Sequence, residues 1–310
     1  PIVIKFSHVV ATDAPKGKAA ERFKELAEKY TGGKVKVEVY ANSSLYKDKE
    51  ELEALQLGAV HLLAPSTAKF GPLGFTEFDA LDLPFMYKSD DDFNKFAASD
   101  LSKQMFTKLE TKGVKGLAYW DNGFHVMAAN KPIRMVTDFR GLKLRIQGSK
   151  VLDATTKAWG AIPQVMAFSE VYQALQTGVV DGLENVPSNL WTQKLYEVIK
   201  YLALSNHGHL TYAVVANAKF WNGLPADLRA PLDKAVADAS TYFGEIAKKE
   251  NEEAIENIKK TGKVQVYTLT DAERDSWRKA VLPVHREMEK RIGKATIDAI
   301  HKIVGFKMDS

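Results

Sequence analysis

The chain has 310 residues with no cysteine, a hydrophobic share of 45% and a charged share of 26%. That length exceeds one hydrophobic core, so two lobes are expected; the missing cysteine excludes disulfides, thiolate metal sites and cysteine nucleophiles and fits an exported protein. A net charge of +4, spread along the chain, suits a small anion and not nucleic acid, and no apolar run is long enough to cross a bilayer.

The chain opens at Pro1 directly into a β-rich run, Ile2-Val3-Ile4-Lys5-Phe6, the kind of start that signal-peptide removal or any other trimming leaves. Ala19, Phe23, Leu26, Ala27 and Tyr30 then keep helical spacing, and Thr31-Gly32-Gly33 ends that helix. Lys34-Val35-Lys36-Val37-Glu38-Val39-Tyr40 alternates with period two, as a half-buried strand does. Strands and helices in alternation predict α/β lobes with largely parallel sheets.

An internal echo follows. Ala54-Leu55-Gln56-Leu57-Gly58-Ala59-Val60 recurs as Ala174-Leu175-Gln176-Thr177-Gly178-Val179-Val180, 120 residues later. In both copies an acidic or polar start, Asp48 or Ser169, precedes a short helix, and Gly58 or Gly178 is placed to cap it in the left-handed conformation. A short strand and a loop of small polar residues come next: Ala64-Pro65-Ser66-Thr67-Ala68-Lys69 and Glu184-Asn185-Val186-Pro187-Ser188-Asn189. Two lobes of one local design would each present such a loop at a strand's C-terminal end, where open α/β sheets bind ligands. The alternative is chance similarity between two common helix-to-strand turns.

Further on, Leu224-Pro225 opens a long helical region that reaches Lys260 and stops at Gly262, with Pro231 in its early turns as a possible kink. Thr270-Asp271-Ala272-Glu273 is a capping box for another helix, which Pro283 is expected to bend.

Catalytic motifs are absent: there is no Gly-x-Ser-x-Gly elbow, no His-Glu-x-x-His, no phosphate loop and no dinucleotide glycine fingerprint. His207-Gly208-His209 would put two imidazoles on one face of a strand, but no third ligand lies nearby in sequence, so polar or ligand-lining histidines are expected and no metal site. Glu77, Asp79 and Asp82 form an acidic cluster without a companion nucleophile and read as solvated or helix-capping. In Gly141-Leu142-Lys143-Leu144-Arg145-Ile146-Gln147, alternation puts Lys143, Arg145 and Gln147 on one face. A guanidinium there can grip a carboxylate with two parallel hydrogen bonds. From spacing alone, a surface arginine on an edge strand is the plainer reading.

That same heptapeptide and Gln164-Val165-Met166-Ala167-Phe168-Ser169-Glu170-Val171-Tyr172-Gln173-Ala174-Leu175-Gln176-Thr177-Gly178-Val179-Val180-Asp181-Gly182-Leu183-Glu184-Asn185 carry a family resemblance. So do Phe6-Ser7-His8-Val9-Val10, Leu45-Tyr46-Lys47-Asp48-Lys49-Glu50, Lys69-Phe70-Gly71-Pro72-Leu73-Gly74 and Trp120-Asp121-Asn122-Gly123-Phe124. As an ordered set running from the first strand to beyond Phe220-Trp221, they resemble the solute receptors of tripartite ATP-independent periplasmic (TRAP) transporters, of the dicarboxylate-binding DctP type. The C-terminal helices match in character more than in motif.

The resemblance implies an α/β, two-lobed periplasmic binding protein fold of type II-like form, with hinge strands and a long helix after Pro225 spanning both lobes. Lobe I would hold 1–123 plus about 212–250, and lobe II 124–211 plus about 251–310, with the ligand cleft between them. It implies a periplasmic receptor without catalysis or cofactor. Its ligand would be a small organic carboxylate, first a C4-dicarboxylate such as succinate, fumarate or malate, delivered to a small and a large membrane permease subunit. The alternatives are a two-lobed periplasmic enzyme or a sensor-input protein acting on a mono- or 2-oxo-carboxylate, because fold does not fix function.

Site roles carried over from the family give Arg145 the ligand carboxylate and Asn185 a hydrogen bond to the ligand. Phe168 supplies an apolar wall, Ser66 and Lys69 face in from the first lobe, His8 sits at the cleft end of the first strand, and Lys47 is a neighbour. Two departures stand out: His125 replaces an arginine that many relatives carry after Gly-Phe, and Val186 replaces the proline after Glu-Asn. With an ordinary pKa near 6.5, His125 would hold a second anionic group best when protonated, which would improve dianion affinity at mildly acidic pH; the alternative is a histidine bonded to backbone and remote from the ligand.

Overall fold

The computed structural model describes residues 1–309, whose strands fall into one sheet of five and one of six. In the first sheet β1 (Ile2–Ser7) pairs in parallel with β2 (Val35–Tyr40) on one side and β3 (Leu62–Leu63) on the other. After β4 (Val114–Phe124) the chain leaves this sheet at His125 and enters the second as β5 (Val126–Ala129). There β6 (Lys143–Ile146) lies between β7 (Ile162–Val165) and β8 (Gly182–Asn185), parallel to both. β9 (Tyr201–Leu204) pairs antiparallel with β5, residues 205–208 carry the chain back, and β10 (His209–Asn217) inserts antiparallel between β3 and β4. β11 (Gln265–Thr268) closes the edge beside β9.

The echoed motif folds as one unit used twice. The helix Glu51–Gln56 ends with Gly58 at φ +81°, where the Gly58 and Ala59 N–H groups donate to Leu55 O at 3.0 Å and Ala54 O at 2.9 Å. These two bonds satisfy carbonyls that the helix end would otherwise orphan. The helix Val171–Gln176 ends alike, with Gly178 at φ +77° and bonds from Gly178 and Val180 to Leu175 and Ala174. β3 and β8 follow, and each runs out into a loop that faces the opposite sheet. Asp48 does not start its helix: the cap position is Glu50, without a side-chain cap bond, and the Asp48 carboxylate is used elsewhere.

The long helix is Ala226–Thr261, 36 residues, unbroken through Pro231 and ended by Gly262 at φ +69°. At about 54 Å it is long enough to serve both sheets. It packs on the helix Pro15–Tyr30 and β4 of the first, and on the helix Pro187–Thr192 and β11 of the second. Leu232, Val236 and Phe243 of its apolar stripe join the core around Ile4, Phe6 and Trp120, whereas Ile258 joins the one around Val126, Leu183 and Leu202. A third core runs from Phe70 and Phe78 through Trp159 and Trp277 to Phe306, so the C-terminal helices cover apolar surface contributed by both halves. Thr270 and Glu273 form the expected capping box of the helix Asp271–Val281. Pro283 does not bend that helix; it lies past its end, before a separate helical turn at Val284–Glu287.

Candidate ligand-binding site

Arg145 sits near the C-terminal end of β6, the strand between β7 and β8, and is 4% exposed. The edge-strand alternative therefore fails, because pairing with β8 covers the side that sequence leaves open. Its guanidinium is aimed by two bonds: Nε donates to Met166 O at 3.0 Å and Nη2 to Asp48 Oδ2 at 3.3 Å. The Phe168 ring lies 5.7 Å from the guanidinium carbon. No hydrogen bond among the described residues uses Nη1. Burial lowers the arginine pKa somewhat, but a guanidinium starts so high that it stays charged.

Around it is a small cavity of about 40 Å³ at the strand ends, between the two sheets. Arg145, Gln147, Phe168, Glu184, Asn185 and Asn189 come from the second-sheet side, and His125 from the crossover. Asn185 Oδ1 accepts from Val186 N at 2.8 Å and from Asn189 Nδ2 at 3.1 Å, which fixes the amide and directs its Nδ2 away from those partners. The first-sheet side supplies Val9, Val10, Lys16, Asp48, Glu51, Ser66, Lys69 and Tyr212. Ser66 Oγ caps the short turn Thr67–Lys69 by accepting from Ala68 N at 3.2 Å, and so sets the position of Lys69. Lys69 Nζ reaches Asp48 Oδ2 at 3.4 Å, so that one carboxylate oxygen joins Lys69, Arg145 and the Phe168 N–H across the cleft.

Lys16 and Glu51 were not singled out from sequence. Lys16 is 2% exposed, donates to Ala64 O at 3.0 Å and lies 3.9 Å over the Tyr212 ring. Burial brings its pKa down to about 8, and burial pushes Glu51 up to about 8 although Ser7 Oγ donates to it at 2.7 Å. One signal for Lys16 was available. A lysine in the first turn of a helix opposes the helix dipole, so its place there needs a second reason.

His125 lines the cavity with Nε2 3.9 Å from Glu184 Oε1 and with Nδ1 unpartnered. Burial lowers its pKa to about 4, so it is neutral at mildly acidic pH, against the role expected of it. For Glu184 burial alone would raise the pKa, but His125, a 2.5 Å bond with His207 and Arg145 outweigh it and hold the carboxyl at about 2. His8 lies beneath the cavity wall: it is 1% exposed, and its Nδ1 accepts from Val10 N at 3.3 Å. Lys47 is outside, half-exposed, and its Nζ pairs with Glu170 Oε1 at 3.1 Å. The two imidazoles of His207-Gly208-His209 diverge, one to Glu184 and one to Asp121, because residues 205–208 form the crossover and strand alternation begins only at His209. Of the acidic cluster, Glu77 pairs with Lys108 at 2.6 Å as a surface residue would. Asp79 is instead buried and pairs with Arg291 at 2.5 Å.

Residues 6–291 match the family described as bacterial extracellular solute-binding protein, family 7, or DctP. The chain belongs to the DctP family. It is 60% identical over 300 residues to the C4-dicarboxylate-binding periplasmic protein DctP of Rhodobacter capsulatus, covering 97% of this chain and 90% of that one. A TRAP periplasmic solute-binding protein from Shewanella oneidensis, solved with bound succinate, superposes with a TM-score of 0.95 at 39% identity, covering 98% and 99% of the two chains. The sugar acid-binding protein of Advenella mimigardefordensis, in complex with galactonate, gives the same TM-score at 32% identity, covering 98% of each. As a DctP-family member the chain is a TRAP-type solute-binding protein with a two-lobed α/β fold, and not an enzyme.

Proposed function

We propose that the chain is the periplasmic receptor for a C4-dicarboxylate such as succinate, fumarate or malate, and that it hands this ligand to the small and large membrane subunits of a TRAP permease. Two relatives with the same TM-score hold succinate and galactonate, so backbone likeness leaves the ligand open and side chains must decide. The observation that carries the reading is a cation on each wall of one small cavity, Arg145 on one and Lys16 and Lys69 on the other, interspersed with Asp48, Glu51 and Glu184. A short dianion places a charge toward each wall. A sugar acid has one carboxylate and leaves the cations of the other wall without a counter-charge. The 60% identical Rhodobacter protein, named for C4-dicarboxylates, supports the same choice.

In this reading Arg145 clamps one carboxylate, Asn185 donates to it, Phe168 covers it, and Ser66, Lys69 and Lys16 hold the far end. Residues 1–124 with 209 to about 250 move as one lobe and 126–204 with about 251–309 as the other, hinged at His125 and at 205–208. Calorimetric titration with a panel of acids tests the reading. Succinate, fumarate and malate are expected to bind in the micromolar range or tighter, and butyrate and galactonate about a hundredfold more weakly. Equal or tighter binding of either of those two acids would overturn it.

A further inference from the structure

Beside the two crossovers, away from the ligand cavity, the start of β10 buries a second histidine site. His209 is 2% exposed, with its ring between Tyr87 and Phe124 at centroid distances of 4.7 and 4.2 Å. Its Nδ1 faces both oxygens of Asp121 at 3.0 and 3.1 Å, and one of those oxygens also accepts from Gly123 N at 3.2 Å. A carboxylate on Nδ1 orients the ring so that Nε2 points outward and, in the neutral ring, places the proton on Nδ1. Nε2 has no hydrogen-bond partner, and the nearest carboxylate oxygen it faces is Asp90 Oδ1 at 3.6 Å.

The buried Nε2 and a carboxylate oxygen face one another across a gap that a cation can fill. The spacing is too long for a hydrogen bond, which closes to about 2.7–3.2 Å and is shorter still when charged. It matches two metal–ligand bonds of about 2.0–2.2 Å at a tetrahedral angle, which span about 3.4–3.6 Å. His209, Asp90 and Asp121 each offer a ligand atom within 4.8 Å of the others. The groove above them is acidic in a chain of positive net charge: Asp90, Asp91, Asp121 and Glu252 face Lys88 and Lys248.

The geometry points to a divalent-metal site of the zinc class here, with His209 Nε2 and Asp90 as ligands and Asp121 orienting the imidazole. Water completes the shell. Imidazole with carboxylate favours zinc-like ions over calcium or magnesium, which take oxygen ligands. The ion ties the start of the helix Asp90–Ala97 to β4 and β10 where the chain leaves the first sheet. Sequence hid the site because Asp90 and Asp121 lie 119 and 88 positions from His209.

Titration calorimetry of tag-free chain, stripped with a chelator that is then removed, tests this with Zn²⁺, Ca²⁺ and Mg²⁺. One Zn²⁺ per chain is expected, with a Kd of about 10 µM or tighter, and no measurable heat from the other two ions. Asp90→Asn, at a part-exposed position, is expected to fold normally by circular dichroism, keep its organic-acid affinity and lose Zn²⁺ affinity by about tenfold or more. His209→Gln is expected to abolish the site. No Zn²⁺ binding at about 100 µM, or Zn²⁺ affinity unchanged in Asp90→Asn, overturns the proposal. Neither result bears on the organic-acid site.

Discussion

The two walls of the cleft bind charge by different means. On the second-sheet side, Arg145 and Asn185 are planar groups whose orientation is set by neighbours: Met166 O and Asp48 for the guanidinium, Val186 N and Asn189 for the amide. On the first-sheet side Lys16 and Lys69 are compact ammonium groups, with Glu51 as a buried carboxyl among them. The first wall therefore supplies geometry and the second supplies charge. Losing a fork of directed donors should cost more than losing a point charge, and only the ammonium wall should respond to mildly alkaline pH.

The largest effect expected is at Arg145. Arg145→Ala removes the only guanidinium in the cavity and leaves Asp48 Oδ2 with Lys69 and the Phe168 N–H alone. Stripping one partner from a buried charged pair exposes the other's lost hydration, so affinity should fall at least about a hundredfold, roughly 3 kcal/mol, by calorimetry. Arg145→Lys keeps the charge without the fork and should recover only part of the loss. Near-normal binding by the alanine variant would remove the contrast between the walls altogether.

Lys16 comes next. Lys16→Met should weaken succinate about tenfold while changing a monocarboxylate less, since the far carboxylate loses its countercharge. The same wall sets the pH response. Burial pushes Glu51 up and Lys16 down while each charge favours the other's, so the pair gives up a proton near pH 8. That loss makes the cavity more negative, so dianion affinity should drop by about tenfold between about pH 7 and 9. Each of Lys16→Met and Glu51→Gln should flatten that drop. An unchanged slope in both would mean that these groups do not face the bound anion.

The difference between the walls also explains what sequence could and could not reveal. Arg145 and Asn185 lie in contiguous motifs with strand alternation and a repeated helix–glycine–strand unit, and both copies of that unit form as read. Their burial came from β6 lying between β7 and β8, a pairing of residues distant in the chain that no local pattern encodes. Lys16 and Glu51 look like surface residues of amphipathic helices until the two sheets face each other. Asp79 reads as solvated or helix-capping in the sequence because its partner Arg291 is 212 positions away. The paired imidazoles of His207 and His209 failed for a local reason: the strand begins at His209, two residues after the point where alternation was assumed.

The smallest effect expected is at His125, where sequence favoured a second anion site at acidic pH. Lowering an imidazole from 6.5 to about 4 sets on the order of 3 kcal/mol against its charged form. Glu184, 3.9 Å away and already ionised, does not offset that burial. For His125 to be protonated near pH 6, a bound carboxylate would have to return about two pKa units, a coupling as strong as a well-formed buried ion pair. The neutral ring can instead present one N–H or one lone pair, a role that glutamine reproduces. His125→Gln should therefore change succinate affinity less than about threefold and leave its pH dependence between about 5.5 and 7.5 superimposable on that of the unaltered chain. A rise in affinity on acidification that disappears in the glutamine variant would show that the ligand recharges this histidine, and the crossover would then join the two walls as a third source of charge.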